Sequence, residues 1–430
     1  MRKKLHTNWS EKRNNAGRWT IVLLFLLAGL FASSELFSQS QQRINAMLLV
    51  QQGDNQVRLG QFQEAVLSYT NAIITDNSYA EAYMKRSSLL QRLGRTTEAR
   101  QDYEKALRLN PYSAYVLDEK AKLNFMLEKY GEGMIDIEHA IAMNPENMRL
   151  RDHRIDGYIL TGEYARARDE LELMDESGFS RDSVLLKKAL IDFLEQDYPS
   201  AQLALEELES RNFKNALMYD LLGLIALKSG NADEAIRHLE TAVRINPKFS
   251  LAYYNLAMAY RTAGNHQRAV EYFNKAIETH LQIAPVYLAR GLSRRDLGDF
   301  YGAIDDYSEV NQNDSIYFDA VYNRAFAYEM LGNFDSALID ANRAIEVNPL
   351  DAHAWKMRGD IHMIMGDYSE AVIDYTQALQ LDGSMVEALF RRGLSKAFNY
   401  RLKDACNDFR MARQFGFEEA DDALARFCGP

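Results

Sequence analysis

Residues 250–264 read SLAYYNLAMAYRTAG and residues 265–280 read NHQRAVEYFNKAIETH. In both stretches apolar side chains recur at the i, i+3, i+4, i+7 spacing of an amphipathic helix, so the sequence predicts two helices that meet at Gly264. The same two halves return every 34 residues. In register with Ala269 stand Ala65, Ala99, Gly133, Ala167, Ala201, Ala235, Ala303, Ala337, Ala371 and Ala405. Twelve residues earlier runs a second small column of Gly53, Ser87, Ala121, Ala189, Gly223, Ala257, Gly291, Ala325, Gly359 and Gly393, with only Ile155 large. Eleven repeats thus fill 46–419.

Both boundaries of the repeat are punctuated. Gly60, Gly94, Gly162, Gly230, Gly264, Gly298, Gly332 and Gly366 fall between the halves, where helices commonly end on a left-handed residue. Pro111, Pro145, Pro247 and Pro349, each preceded by Asn, close repeats because proline cannot continue a helix. Two helices approach closely only where side chains are short, so Gly291 and Ala303 are expected to meet in the eighth repeat. Tyr69, Tyr103, Phe273, Tyr307, Tyr375 and Phe409 form an aromatic column that should bury against the next repeat. Each such ring contributes roughly 1.5–3 kcal/mol when fully buried. No repeat hides that face alone, so neighbours must stack.

On these columns the chain resembles the tetratricopeptide repeat family over 46–419, about 87% of its length. In 352–385 the residues Trp355, Gly359, Gly366, Tyr368, Ala371, Tyr375 and Ala378 all fall in the family's register. The repeats 148–181 and 182–215 depart from it, with Arg151, Ile155, Met174 and Leu208 at positions the family keeps otherwise. A weakened contact or bend there, and drift without functional meaning, are both open readings. The resemblance implies an all-α fold: a right-handed superhelical solenoid of about eleven helix-turn-helix repeats, ending in a capping helix over 420–430. Residues 41–45 are expected to be a short lead-in.

The first forty residues lie outside the array. Arg2, Lys3, Lys4, Lys12, Arg13 and Arg18 precede an apolar run from Ile21 to Ala32, and small or polar residues follow up to Gln42. This reads as a secretory signal over 1–40. The run is shorter than the ~20 residues that span a bilayer, and a retained anchor over 19–32 is the alternative. No cysteine follows the apolar run, which argues against a lipoprotein. Losing six basic and two acidic residues takes the formal charge from −11 to −15. So acidic a body, without a Lys/Arg cluster beyond pairs such as Arg294–Arg295 and Arg391–Arg392, is not expected to bind nucleic acid. Those pairs, and Asp305–Asp306, read as solvated helix faces.

Cys406 and Cys428 are equidistant from a turn near Gly416, between the last repeat's second helix and a closing helix over 419–427. Residues so placed in an antiparallel hairpin face one another, and in an exported chain they are expected to form a disulfide; two buried thiols are the alternative. Exported bacterial proteins of the family often close in a similar way. The resemblance therefore supports a place in the periplasm or envelope of a Gram-negative bacterium.

Nothing in the sequence asks for catalysis or a cofactor. The eight histidines are scattered, none at the i, i+4 spacing of a helical metal site, and neither phosphate-binding glycine loops nor a G-x-S-x-G elbow occurs. The repeats leave no room for a catalytic domain. Recognition of a protein or peptide remains, in a groove lined by the fifth, ninth and twelfth residues of each repeat. In repeats seven to ten these are Tyr254, Met258 and Arg261; Leu288, Leu292 and Arg295; Tyr322, Phe326 and Glu329; Lys356, Asp360 and Met363. Aromatic, Met and charged residues in this mixture resemble an interface. Tyr254 and Tyr322 have a second reading, as padding between neighbouring repeats. The family's clamp for chaperone C-termini is incomplete: Asn323 fits it, but Leu292 and Met357 do not. The sequence thus suggests a non-catalytic scaffold, with two alternatives: a membrane-tethered assembly factor for envelope or surface proteins, or an enzyme with an atypical groove site.

Overall fold

The computed structural model describes residues 38–429, all helices and turns, without a strand among them. The expected leader and anchor therefore lie outside the described residues, save 38–40. Those three residues and the expected lead-in over 41–45 belong to one helix, α1, over 38–58.

Next come α2 (Phe62–Thr75), α3 (Ala80–Arg92), α4 (Thr96–Leu109), α5 (Ala114–Met126), α6 (Tyr130–Met143), α7 (Met148–Thr161), α8 (Tyr164–Glu176) and α9 (Arg181–Leu194). They are followed by α10 (Tyr198–Ser210), α11 (Ala216–Lys228), α12 (Ala232–Ile245), α13 (Ser250–Thr262), α14 (His266–Glu278), α15 (Ala284–Asp296) and α16 (Phe300–Ser308). The last are α17 (Tyr317–Met330), α18 (Phe334–Val347), α19 (Ala352–Met365), α20 (Tyr368–Leu381), α21 (Val386–Phe398), α22 (Leu402–Gln414) and α23 (Glu419–Phe427). Two compact bodies result, one up to Ile191 and one from Asp192 onward. The division falls inside α9, within the pair of repeats whose columns depart.

Local chemistry accounts for the helix ends. Gly264 takes φ +76° between α13 and α14. Asn231, Asn265, Asp299 and Asn333 then cap the second helices, their side-chain oxygens accepting from Glu234, Arg268, Gly302 and Ser336 N–H groups. Tyr400 occupies the glycine position of the last repeat with φ +59°, a conformation unfavourable for a residue with a Cβ.

The small column answers to the aromatic one. A Cβ added at Gly53, Gly291, Gly359 or Gly393 would stand 2.4, 2.6, 2.9 or 2.6 Å from the ring of Tyr69, Tyr307, Tyr375 or Phe409. The residue that demands Gly291 is therefore Tyr307 of the same repeat. Each ring also reaches the next repeat, Tyr69 packing with Ala82 and Tyr375 with Ala388. All six aromatics of the column are at most 2% exposed. In the two departing repeats Ile155, Met174 and Leu208 are equally buried, so larger aliphatic side chains fill the space.

A polar ladder also ties the helices together. In the second body Arg290, Arg324, Arg358 and Arg392 each fork onto a buried aspartate on the second helix of the same repeat: Asp306, Asp340, Asp374 and Asp408. The remaining Nη1 reaches the second helix of the preceding repeat, at Asn274 (2.7 Å), Ser308 (3.0 Å), Asn342 (2.7 Å) and Thr376 (3.4 Å). Arg86, Lys120 and Arg154 make the same pairing with Asp102, Asp136 and Glu170 in the first body. This corrects the reading of Asp306, Arg294 and Arg392 as solvated: Asp306 is 1% exposed and is held by Arg294 at 3.0 Å as well as by Arg290. Charges so buried must be paired, and loss of one partner is costly.

The end of the array is covered by α23. Leu424 and Phe427 pack with Phe409 and Ala397, and Cys406 on α22 is bonded to Cys428 with the Cα atoms 5.8 Å apart.

Candidate protein-binding groove

Within the second body, the ninth residue of each repeat, on its first helix, is Leu224, Met258, Leu292 and Phe326 in four successive repeats. The first three are half-buried and Phe326 is 37% exposed. Their spacing of 34 residues puts them at one register position on α11, α13, α15 and α17. The result is an apolar stripe on an acidic chain.

Residues flanking the stripe differ along it. Tyr254 rests against Phe273 at 5.9 Å between ring centroids and, with Met258, pads the core around Leu256. Leu288 and Leu292 pack on Tyr307 and Val310. Arg295 gives its Nη1 to Asn323 Oδ1 at 2.6 Å and pairs with Asp296. Among the described residues Arg261 has no ion pair, and its Nε is buried without a hydrogen-bond partner. Tyr322 also has a packing role, against Val321 and Ala354.

At the far end Tyr322, Phe326, Lys356 and Asp360 line one cleft of about 570 Å³ together with Glu387 and Arg391. Lys356 bridges Asp360 at 2.9 Å and Glu387 at 3.2 Å. Arg391 answers from the next repeat, at 2.9 Å from Glu387 and 3.4 Å from Asp360. The Tyr375 hydroxyl donates to Asp360 at 2.6 Å. Burial, reinforced by Asp360, raises the pKa of Glu329 above the ordinary carboxylate value. The cleft thus combines an apolar wall with a charged floor whose groups are largely spent on one another.

The sequence reading missed Glu387, took Arg391 for a solvated helix face, and expected Tyr375 only as a core ring and not as the donor to Asp360. It also missed the same set in the first body, where Tyr69 donates to Asp54 at 2.7 Å and Lys85 meets Asp54 at 2.9 Å. The signal was available as a spacing: Asp54 and Lys85 stand 306 residues before Asp360 and Arg391, nine full repeats.

One tetratricopeptide repeat family model matches residues 50–114 and 221–285, and a second tetratricopeptide repeat model matches 352–384. No curated protein matches the chain. Among solved structures, a tetratricopeptide repeat protein from Parabacteroides merdae is 23% identical, with 57% of this chain and 97% of that one covered and a TM-score of 0.41. PilF of Pseudomonas aeruginosa is 19% identical over 49% of this chain and 97% of its own, at a TM-score of 0.42. YrrB, described as a TPR protein with an unusual peptide-binding site, is 21% identical over 44% of this chain and 97% of its own, at 0.39.

Proposed function

This chain is a tetratricopeptide repeat protein, and from that premise we propose that it is a non-catalytic scaffold holding a segment of another protein along the first-helix face of its second body. One observation carries the reading. Leu224, Met258, Leu292 and Phe326 leave an apolar stripe partly open to solvent over four repeats of a chain with net charge −11. Contiguous apolar surface of this kind marks interaction sites, and aromatic and Met side chains are the types interfaces favour. The cleft at Phe326 and Lys356 lengthens the surface and adds charge at one end.

The basic and apolar character of 1–40, together with the Cys406–Cys428 bond, supports action outside the cytoplasm, in the periplasm or envelope of a Gram-negative bacterium. The test is capture from that envelope fraction by the wild-type protein and by the Met258→Ser, Phe326→Ser double variant. Phe326 is open to solvent and Met258 partly so, and far-UV circular dichroism of the variant checks that the helices are kept, whereas Tyr322 packs into two clusters of the core. Specific partners should be retained by the wild type and lost by the variant. Equal recovery by both would move the site off this face.

A further inference from the structure

The cleft of about 570 Å³ at the far end of the first-helix face has two sides of different character. On one side Lys356, Asp360, Glu387 and Arg391 close into a ring in which each cation meets both acids, Lys356 at 2.9 and 3.2 Å and Arg391 at 3.4 and 2.9 Å. Their charges cancel. On the other side α17 contributes Tyr322, Phe326 and Glu329, whose i, i+4 and i+7 spacing puts all three on one helix face in the lining of the cleft.

Glu329 stands outside the ring. Among the described residues its carboxylate has no ion pair and no hydrogen bond, and the residues one turn away on its own helix and beyond it, Ala325, Phe326, Gly332 and Asn333, offer no cation. The side chain is half-buried. Burial and the charge of Asp360 outweigh the pull of Arg391 and Lys356 and raise its pKa, so the cations already in the cleft do not compensate it. Asp382, the remaining acid of the lining, is engaged by the N–H and hydroxyl of Ser384. Four carboxylates thus face Lys356 and Arg391, a net −2 with His353 neutral. The sister cleft of the first body, about 520 Å³, has Asp54 on Lys85 and no second carboxylate in its lining, which includes Arg92 instead. An uncompensated acid therefore belongs to the cleft at Phe326 and not to the repeat as such.

We propose that the segment held on this face places a lysine or arginine in the cleft, its cationic head on Glu329 and its methylene stem along Phe326 and Tyr322. This rests on the groove reading above and gives it a ligand chemistry. Long basic side chains are apolar along the stem and charged at the tip, the same order that α17 offers from Phe326 to Glu329. A base brings the lining nearer to neutrality, whereas an acid of the ligand would meet like charge, and such complementarity is what sets specificity at an interface.

The test uses a phage library of random twelve-residue peptides selected on the purified full chain. Enriched sequences are then synthesised with free and acetylated N-termini, and with each arginine exchanged for citrulline and each lysine for acetyl-lysine, which removes the charge and keeps the stem. Fluorescence anisotropy is read against the wild type, Glu329→Gln and Asp335→Asn, the last an exposed acid on α18 that controls for net charge alone. The enriched peptides should share a basic residue beside apolar ones. Its neutralisation should weaken binding about tenfold on the wild type and on Asp335→Asn, and less than about twofold on Glu329→Gln, the signature of a direct pair. Glu329→Lys should reverse the preference toward peptides with glutamate at that position. Equal losses on the wild type and Glu329→Gln would overturn the inference in favour of attraction to the acidic chain as a whole. Loss on acetylation alone would overturn it in favour of a chain terminus. Enriched peptides that bind through Met258 and Phe326 without a base would overturn it and leave the groove reading standing. If no peptide binds in a manner sensitive to Met258→Ser and Phe326→Ser, the groove reading fails and this inference with it.

Discussion

Tyr307→Phe and Tyr375→Phe remove the same atom from the same position of two repeats, yet the structure gives them opposite signs. The Tyr375 hydroxyl donates to Asp360 at 2.6 Å from a fully buried ring. A hydrogen bond to a charged group contributes roughly 1.5–3 kcal/mol. Asp360 keeps Lys356 and Arg391 after the change, so the lower end of that range applies and Tyr375→Phe should cost about 1–2 kcal/mol. The Tyr307 hydroxyl has no partner to lose. An unsatisfied buried polar group costs roughly 1–3 kcal/mol, so its removal should stabilise the fold by about 1 kcal/mol. Both residues belong to the second body, which allows one transition to serve for both. Urea unfolding followed by far-UV circular dichroism should move the midpoint down for Tyr375→Phe and up for Tyr307→Phe at an unchanged slope. A Tyr307→Phe variant as destabilised as its sister would show that its hydroxyl is already satisfied.

Breaking the ladder should be severe: Asp340→Ala strands Arg324 and is expected to cost roughly 3–5 kcal/mol, while Arg324→Met with Asp340→Leu should come close to the wild type, both read from thermal unfolding. Burial pushes Asp220 up to about 6 against the opposing hydrogen bond from Asn255. The native protein therefore holds this proton more tightly than the unfolded chain, and ionised Asp220 weighs against the fold at neutral pH. Asp220→Asn should stabilise by roughly 2–3 kcal/mol at pH 7 and by nothing below about pH 4, with the gain appearing between pH 4 and 6 in denaturation curves. Tyr400→Gly relieves the positive φ at an exposed turn and should raise the urea midpoint by an amount worth about 1 kcal/mol; a lower midpoint would mean the turn needs its side chain.

The helix pairs were legible because their signals are local. A glycine stop such as Gly264, a capping Asn265 one residue later and an apolar period on either side are written within thirty residues, and repetition multiplies them. The ladder was not legible in the same way. Arg290 and Asp306 sit on different helices, and Asp306 follows another aspartate, so each looks like an ordinary surface charge until the columns Arg290, Arg324, Arg358 and Arg392 are counted at the repeat spacing. Of the groove, the register of Met258, Phe326, Lys356 and Asp360 followed from helix geometry. What those side chains touch did not. Arg295 is tied to Asn323 while the Nε of Arg261 has no partner among the described residues, a difference that depends on packing between repeats. That Tyr307 lacks the acceptor its sisters have shows only when Leu292 is compared with Asp54 and Asp360.

Site-specific photo-crosslinking goes to the heart of the proposal. A benzoylphenylalanine placed at Phe326 on the first-helix face, and another at Ile339, 68% exposed on the second helix α18, can be irradiated in intact cells producing the full chain. Discrete adducts with another protein from position 326, weakened by Met258→Ser, and none from position 339 are the expected result. Adducts from 339 with none from 326 would contradict a partner held along the first helices.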